Sequence, residues 1–156
     1  MNGQLAAQSL RQERKFLGNI LKDFRPEHGE FRPAPGMMTV QQQIRHIAHT
    51  VHWFREGAFG KGFSMDFATA AAQLEIPKTL AEAIAELNKA YEDFITFVEP
   101  LDAAALSAPM PDNPIFGPAP RAIVIPACMD HTAHHRGALA VYLRLLGIVP
   151  TMIYTD

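Results

Sequence analysis

The chain has a single cysteine, Cys128, among its 156 residues. That excludes an intrachain disulfide and any cysteine-built zinc motif, and it fits a reducing compartment, so a cytoplasmic protein is expected. Long hydrophobic runs are also missing. The longest, Ala122 to Met129, contains Pro126 and is bounded by Arg121 and Asp130, far short of the roughly 20 apolar residues that span a bilayer. No membrane association is expected. The N-terminal stretch carries Arg11, Glu13, Arg14 and Lys15 where a secretory signal would need apolar residues, so no export signal is read there. Neither sign of charge is in excess: the formal net charge is −2 with 19% charged residues, and no basic stripe suggests a nucleic-acid partner. What remains is 48% hydrophobic and of ordinary domain size, which predicts one globular domain over residues 1–156.

Four stretches carry helical periodicity, so the chain reads as all-α. The first, from Leu5 to Phe24, places Leu10, Phe16, Leu17, Ile20, Leu21 and Phe24 largely on one side, and Pro26, Pro33 and Pro35 mark the loop that follows. The second begins at Thr39, with Gln42 three residues on to complete a capping box. It carries Val40, Ile44, Ile47, Val51 and Phe54, and should decay at Gly57, Gly60 and Gly62. Thr79 and Glu82 repeat the device for the third, which bears Leu80, Ile84, Leu87, Tyr91, Phe94 and Val98 up to Pro100. Six prolines from Pro100 to Pro120 predict an ordered surface crossover. The fourth helix ends near Leu146, before Gly147 and Pro150. It starts either near Pro126 or near Arg121 with a kink. Met65 to Leu74 adds a short extra helix. Two longer connections mean that one pair of neighbouring helices need not form a simple hairpin.

Six of the seven histidines fall in two clusters, His46/His49/His52 and His131/His134/His135, each within a predicted helix. His131 and His135 lie about 40° apart on a helical wheel, a spacing that lets both rings reach one ion, while His134 points to the other side. The pair shares a face with Val124, Ala127, Cys128, Ala138, Leu139, Tyr142, Leu145 and Leu146. Asp130, Arg136 and Arg144 project away from it as solvent-facing charges. Two imidazoles turned toward an apolar interior need partners, because an unpaired buried polar group costs about 1–3 kcal/mol. A metal would satisfy both; hydrogen bonds to tyrosine, backbone or water are the alternative. Spacing alone does not choose a third ligand on the second helix, since His46 lies off its apolar stripe with Trp53 nearly in line. That helix therefore reads as buried on two sides.

The segments HIAHTVHWF and DHTAHHRGALAVYLRLLG resemble the DinB-like four-helix metalloproteins, in motif order and spacing from about Thr39 to Leu146. The family's H-hydrophobic-A pattern falls on His46, Ile47 and Ala48, and its H-x-x-x-H-R-G pattern on His131, His135, Arg136 and Gly137. The resemblance implies an up-down-down-up four-helix bundle, often a homodimer. It also implies one divalent ion per chain, zinc or nickel, held by His46, His131 and His135. Some members transfer bacillithiol or mycothiol to electrophiles, so a small thiol is the implied substrate. One departure stands out. Where the family commonly has Gln after H-R-G, this chain has Ala138, which removes a side chain that could support a ligand or substrate.

Three imidazoles around a small divalent ion leave a position open, as in catalytic rather than closed structural sites. Such an ion lowers the pKa of a bound water or thiol, which leads to metal-dependent thiol transfer to an electrophile or to hydrolysis. The competing reading is a non-enzymatic dimeric bundle in which the metal is structural or sensory. Extra burial on the His46/Trp53 side would suit such a dimer, whereas an open site lined by a pocket would favour an enzyme. Haem is disfavoured, because i, i+4 histidines cannot be opposite axial ligands. Gln42 reads as a cap or as a support for His46. Cys128 reads as a small buried hydrophobe or a fourth ligand, and Tyr142 as a packing residue with its hydroxyl at the rim or as a donor to substrate. Trp53, Phe54 and Tyr91 read as core or as pocket lining.

Overall fold

Among the residues that the computed structural model describes, 1–154, six α-helices form: α1 (Gly3–Leu21), α2 (Val40–Phe59), α3 (Phe67–Leu74), α4 (Leu80–Val98), α5 (Ala103–Ser107) and α6 (Val124–Leu145). Thr155 and Asp156, the end of the expected domain, lie outside the described residues. The starts follow from side-chain caps. Thr39 and Gln42 exchange reciprocal bonds of 3.2 and 2.9 Å at the head of α2, and Thr79 and Glu82 do the same for α4 at 3.2 and 2.8 Å. Asn2 caps α1 two residues earlier than the periodicity suggested. Asp66 caps the short α3. Pro126 sits in the first turn of α6, where its missing N–H breaks no helical bond, and a single 3-10 turn at Arg121–Ile123 leads into it.

The long helices make an up-down-down-up bundle whose directions can be read from cross-helix pairs. Arg11 and Arg14 of α1 meet Glu99 and Glu92, at and before the end of α4, so these two run antiparallel. Arg45 reaches Glu86 while Phe59 reaches Phe94 and Phe97, so α2 and α4 run parallel. Gln43 and His46 of α2 meet Tyr142 and His131 of α6, an antiparallel pair. Around the bundle the order is α1, α4, α2, α6. Parallel neighbours cannot be joined by a tight turn, so residues 60–79, including α3, must carry the chain back along the bundle. The core is built from Leu10, Leu17, Ile20, Ile44, Ile47, Leu87, Tyr91, Phe94, Ile125, Leu139 and Leu143, all 2% exposed or less. No helix among the described residues is long and apolar enough to cross a membrane.

Several expected placements need correction. Phe16 is only half-buried, and Glu13, at 5% exposure, takes the inward position on α1. On α6 Val124, Cys128, Leu139 and Tyr142 are buried as expected, but Ile125, Thr132 and Leu143 are buried with them, while Leu145 is 59% exposed. The buried face is thus turned by roughly 60° from the one the sequence suggested. Weak amphipathicity in this helix, which is covered by α1 on one flank and α2 on the other, accounts for the error. Arg136 does not project into solvent. It pairs with Glu13 and lies over the Phe16 ring, tying α6 to α1.

Candidate metal centre

The extra burial of α2 explains why His46 can face inward although it lies off the apolar stripe. Its first turns are enclosed almost all round, with Gln41, Gln42, Gln43 and Arg45 each below 7% exposure. The cover comes from this chain's own α6 and from the 60–79 crossover, where Trp53 Nε1–H donates to the Ser64 carbonyl at 2.7 Å and packs against Phe63 and Phe67. Gly57 lies beneath Phe63, where a Cβ would collide with the ring.

Antiparallel packing of α2 on α6 brings three histidines together. His46 Nε2 stands 3.1 Å from His131 Nε2. Ring centroids are 4.7 Å apart for His46 and His135, and 4.6 Å for His131 and His135. One nitrogen from each ring lies within 4.8 Å of the others, and among the described residues this is the group that could hold a metal ion. Tetrahedral zinc with bonds of about 2.0–2.1 Å spaces its ligand nitrogens by about 3.3–3.4 Å, so small ring rotations suffice.

Protonation also suits a cation. Burial first, then the neighbouring His46 and His134, push His131 down to about 4. Burial, followed by His131, His46 and His134, pushes His135 down to about 3. Burial and then His49 and His134 lower His46. At neutral pH all three rings are uncharged and carry a lone pair.

The tautomer of His135 is set by a chain of hydrogen bonds that begins at a group with only one role. The Met38 carbonyl can only accept, so the Tyr142 hydroxyl donates to it at 3.0 Å. The Tyr142 oxygen therefore accepts from Gln43 Nε2 at 3.1 Å, which turns Gln43 Oε1 toward His135 Nδ1 at 2.6 Å. That nitrogen must carry the proton, which leaves Nε2 free to bind. Sequence reasoning missed Gln43. The available signal was its position one turn before His46, on a helix whose opposite flank was already apolar. Gln42 instead serves the cap and reaches the Leu74 carbonyl. Tyr142, placed by sequence at the rim, is 2% exposed with its hydroxyl inside this chain.

The other candidates fall elsewhere. His49 faces Glu86 at 3.5 Å, and His52 and His134 are exposed. Cys128 is 1% exposed, its thiol is pushed up to about 12 by burial, and it is no part of the histidine group. Tyr91 is fully buried against Thr132 at 2.8 Å, whereas Trp53 and Phe54 line an open cleft. Ala138 is half-buried. The cleft, of about 800 Å³, lies between α2, α3 and α4 and has His46 and His131 in its wall.

Three comparisons bear on this arrangement. No curated protein matches the chain significantly in sequence. In structure it is similar to a DinB-like protein from Bacillus cereus ATCC 10987, with a TM-score of 0.75 at 20% identity over 96% of this chain and 95% of that one. It is also similar to a DinB-like protein from Bacillus subtilis, with a TM-score of 0.70 at 18% identity over 97% and 99% of the two chains. A conserved protein from Enterococcus faecalis gives 0.67 at 16% identity over 94% and 99%. At such identities the likeness shows the fold. The model of the DinB superfamily matches residues 9–139, and the chain belongs to that superfamily.

Proposed function

We propose that the protein holds one divalent ion, zinc or nickel, through His46, His131 and His135, and that it is an enzyme transferring a small thiol to an electrophile, with hydrolysis as the related reaction. The observation that carries this reading is the meeting of three neutral imidazoles at the wall of an open cleft. A closed structural site would have a fourth protein ligand and no cleft.

When bound, the ion supplies Lewis acidity that favours the deprotonated form of a thiol or water beside it. The chain's own residues do the rest. Gln43 holds His135 in the tautomer that leaves Nε2 available, and Tyr142 holds Gln43. Trp53, Phe54 and Phe67 line the approach with apolar rings. In the transfer, the thiol sulfur forms a bond to the electrophilic carbon, the leaving group departs with its electron pair, and the thiol proton passes to solvent. Among the described residues no carboxylate joins the histidine group, so an acid–base pair of side chains is not part of this scheme.

Val141 and Leu145, one turn apart and 53% and 59% exposed, leave an apolar strip on α6 that would suit a homodimer. The single buried thiol suits the reducing cytoplasm. The test is turnover of monochlorobimane with a panel of small thiols, and of activated esters, by zinc- and nickel-loaded protein beside the chelated form. Metal-dependent thioether formation supports transfer, metal-dependent ester cleavage alone selects hydrolysis, and neither with any metal refutes the enzymatic reading.

A further inference from the structure

Phe67, Ala70, Ala71 and Leu74 repeat at i, i+3, i+4 and i+7, the spacing of an apolar helical stripe. On α3 that stripe has almost nothing to pack on. Residues 66–73 are exposed throughout, Phe67 at 57%, and only Leu74 is buried. An apolar stripe normally collapses onto its neighbour; here the helix is pinned at both ends and held away. At one end Trp53 donates to the Ser64 carbonyl. At the other the guanidinium of Arg45, 3% exposed, donates to the carbonyls of Gln73 at 2.8 Å, Leu74 at 3.3 Å and Ile76 at 2.8 Å, while Glu86 fixes it at 3.0 Å. The stripe therefore roofs the cleft of about 800 Å³, a volume within the range of small-molecule sites.

The charges around the cleft choose among ligands. Among the described lining residues Lys89 is the one Lys or Arg, and its ammonium is held by both oxygens of Asp93 at 2.7 and 3.0 Å. Four carboxylates line the same space, Glu56, Asp66, Glu86 and Asp93. Arg55 and Arg45 behind the wall are taken up by Glu56 and Glu86. With Lys89, Arg55 and Arg45 each held by a carboxylate and Asp66 adding a further negative charge, a carboxylate, phosphate or sulfonate on the body of a ligand beneath α3 would meet no lysine or arginine free to pair with it. The proposed ion lies at the His46/His131 end, where the reactive group would sit.

We infer that this cleft takes the uncharged, largely apolar body of the substrate beneath α3 and discriminates against anionic thiols and anionic electrophiles. The inference rests on the proposed metal site, since His46 and His131 form the inner wall toward which the reactive end would point. It narrows the substrate class to neutral amphiphiles with an aromatic or aliphatic body.

Trp53 is the only tryptophan of the chain and lies in the cleft wall, so its fluorescence reports occupancy directly. Zinc-loaded protein is titrated with N-phenyl-1-naphthylamine, which is neutral, and with anilinonaphthalene sulfonate, a similar ring body bearing a negative charge. The neutral probe should quench Trp53 saturably at one per chain, and the sulfonate should bind at least roughly tenfold more weakly. Ala71→Glu should abolish binding of the neutral probe, while Ala70→Arg, which supplies an available cation, should raise sulfonate binding; both positions are exposed, and circular dichroism checks the fold. His131→Ala should lose metal yet still bind the neutral probe, so failure of the metal reading and failure of the cleft reading are distinguishable. Sulfonate binding equal to or tighter than that of the neutral probe overturns the inference, as does a silent Trp53 with both. So would sedimentation showing a dimer that Ala71→Glu dissociates and that excludes both probes, because the occupant would then be a second copy of the chain.

Discussion

Gln43 Oε1 lies 2.6 Å from His135 Nδ1, across the packed interface of α2 and α6. Because Gln43 is itself oriented by Tyr142 and the Met38 carbonyl, one backbone group decides which nitrogen of His135 is available. Partners of this kind on metal-binding histidines are worth about 10–100-fold in affinity. Gln43→Leu should therefore weaken zinc binding by about that factor in a chelator competition. Gln43→Glu, which keeps an acceptor for Nδ1–H, should lose less. Nitrogen-15 spectra of the metal-free protein should show His135 protonated at Nδ1 in the wild type and a mixture of tautomers in Gln43→Leu. Unchanged spectra would assign Gln43 to packing alone.

The lowered pKa values of the histidines fix the sign of a pH effect on the metal-free protein. Each is a base whose folded pKa lies below its unfolded value near 6.5, with His131 at about 4 and His135 at about 3. The unfolded chain therefore binds more protons in between, and stability is full above about pH 6.5 and falls as pH drops toward 4. Urea midpoints should decrease from pH 7 to pH 5, and His131→Ala should flatten that decrease. A midpoint that rises on acidification would contradict the assignment.

Arg136 and Glu13 make an ion pair whose side chains are 14% and 6% exposed. Removing one partner of such a pair leaves a buried charge and costs about 3–5 kcal/mol, so Arg136→Leu should lower stability by that order, and Glu13→Gln by less. Burial raises Glu13 even though Arg136 opposes it. An acid with a raised folded pKa binds protons more readily when folded, so the Arg136→Leu deficit should shrink as pH falls toward the carboxylate range. Denaturation of both variants at pH 7 and pH 5 measures this; an Arg136→Leu deficit that does not depend on pH would count against a buried charged Glu13.

Gly57→Ala places a methyl group where the Phe63 ring packs on α2. Phe63 must move, and with it one face of the Trp53 environment, whose ring centroid is 4.6 Å away. The emission of Trp53 should shift to the red while helix content is kept. Unaltered emission would mean that Phe63 finds room without leaving Trp53.

Much of this arrangement is legible in the sequence where local chemistry decides. Thr39 with Gln42 and Thr79 with Glu82 mark their helices, Gly147 ends α6, and the 131/135 spacing puts two rings on one side. Positions governed by neighbours distant in sequence are not legible. His46 faces inward because α6 and the crossover cover α2 on a second side, which no wheel of α2 contains. Leu143 is buried and Leu145 exposed because two flanking helices divide the surface of α6. Gln43 stands in a run of three glutamines, and only the packed position of Tyr142 distinguishes it from its neighbours.

The three-histidine site carries the proposed function. The direct measurement is metal content by mass spectrometry on tag-free protein purified without added metal, then after incubation with zinc or nickel and gel filtration, with His131→Ala in parallel. Close to one ion per chain is expected in the wild type, on purification or after loading, and little in His131→Ala. A wild-type chain that stays metal-free after loading, or a variant that retains its ion, would contradict the three-histidine site.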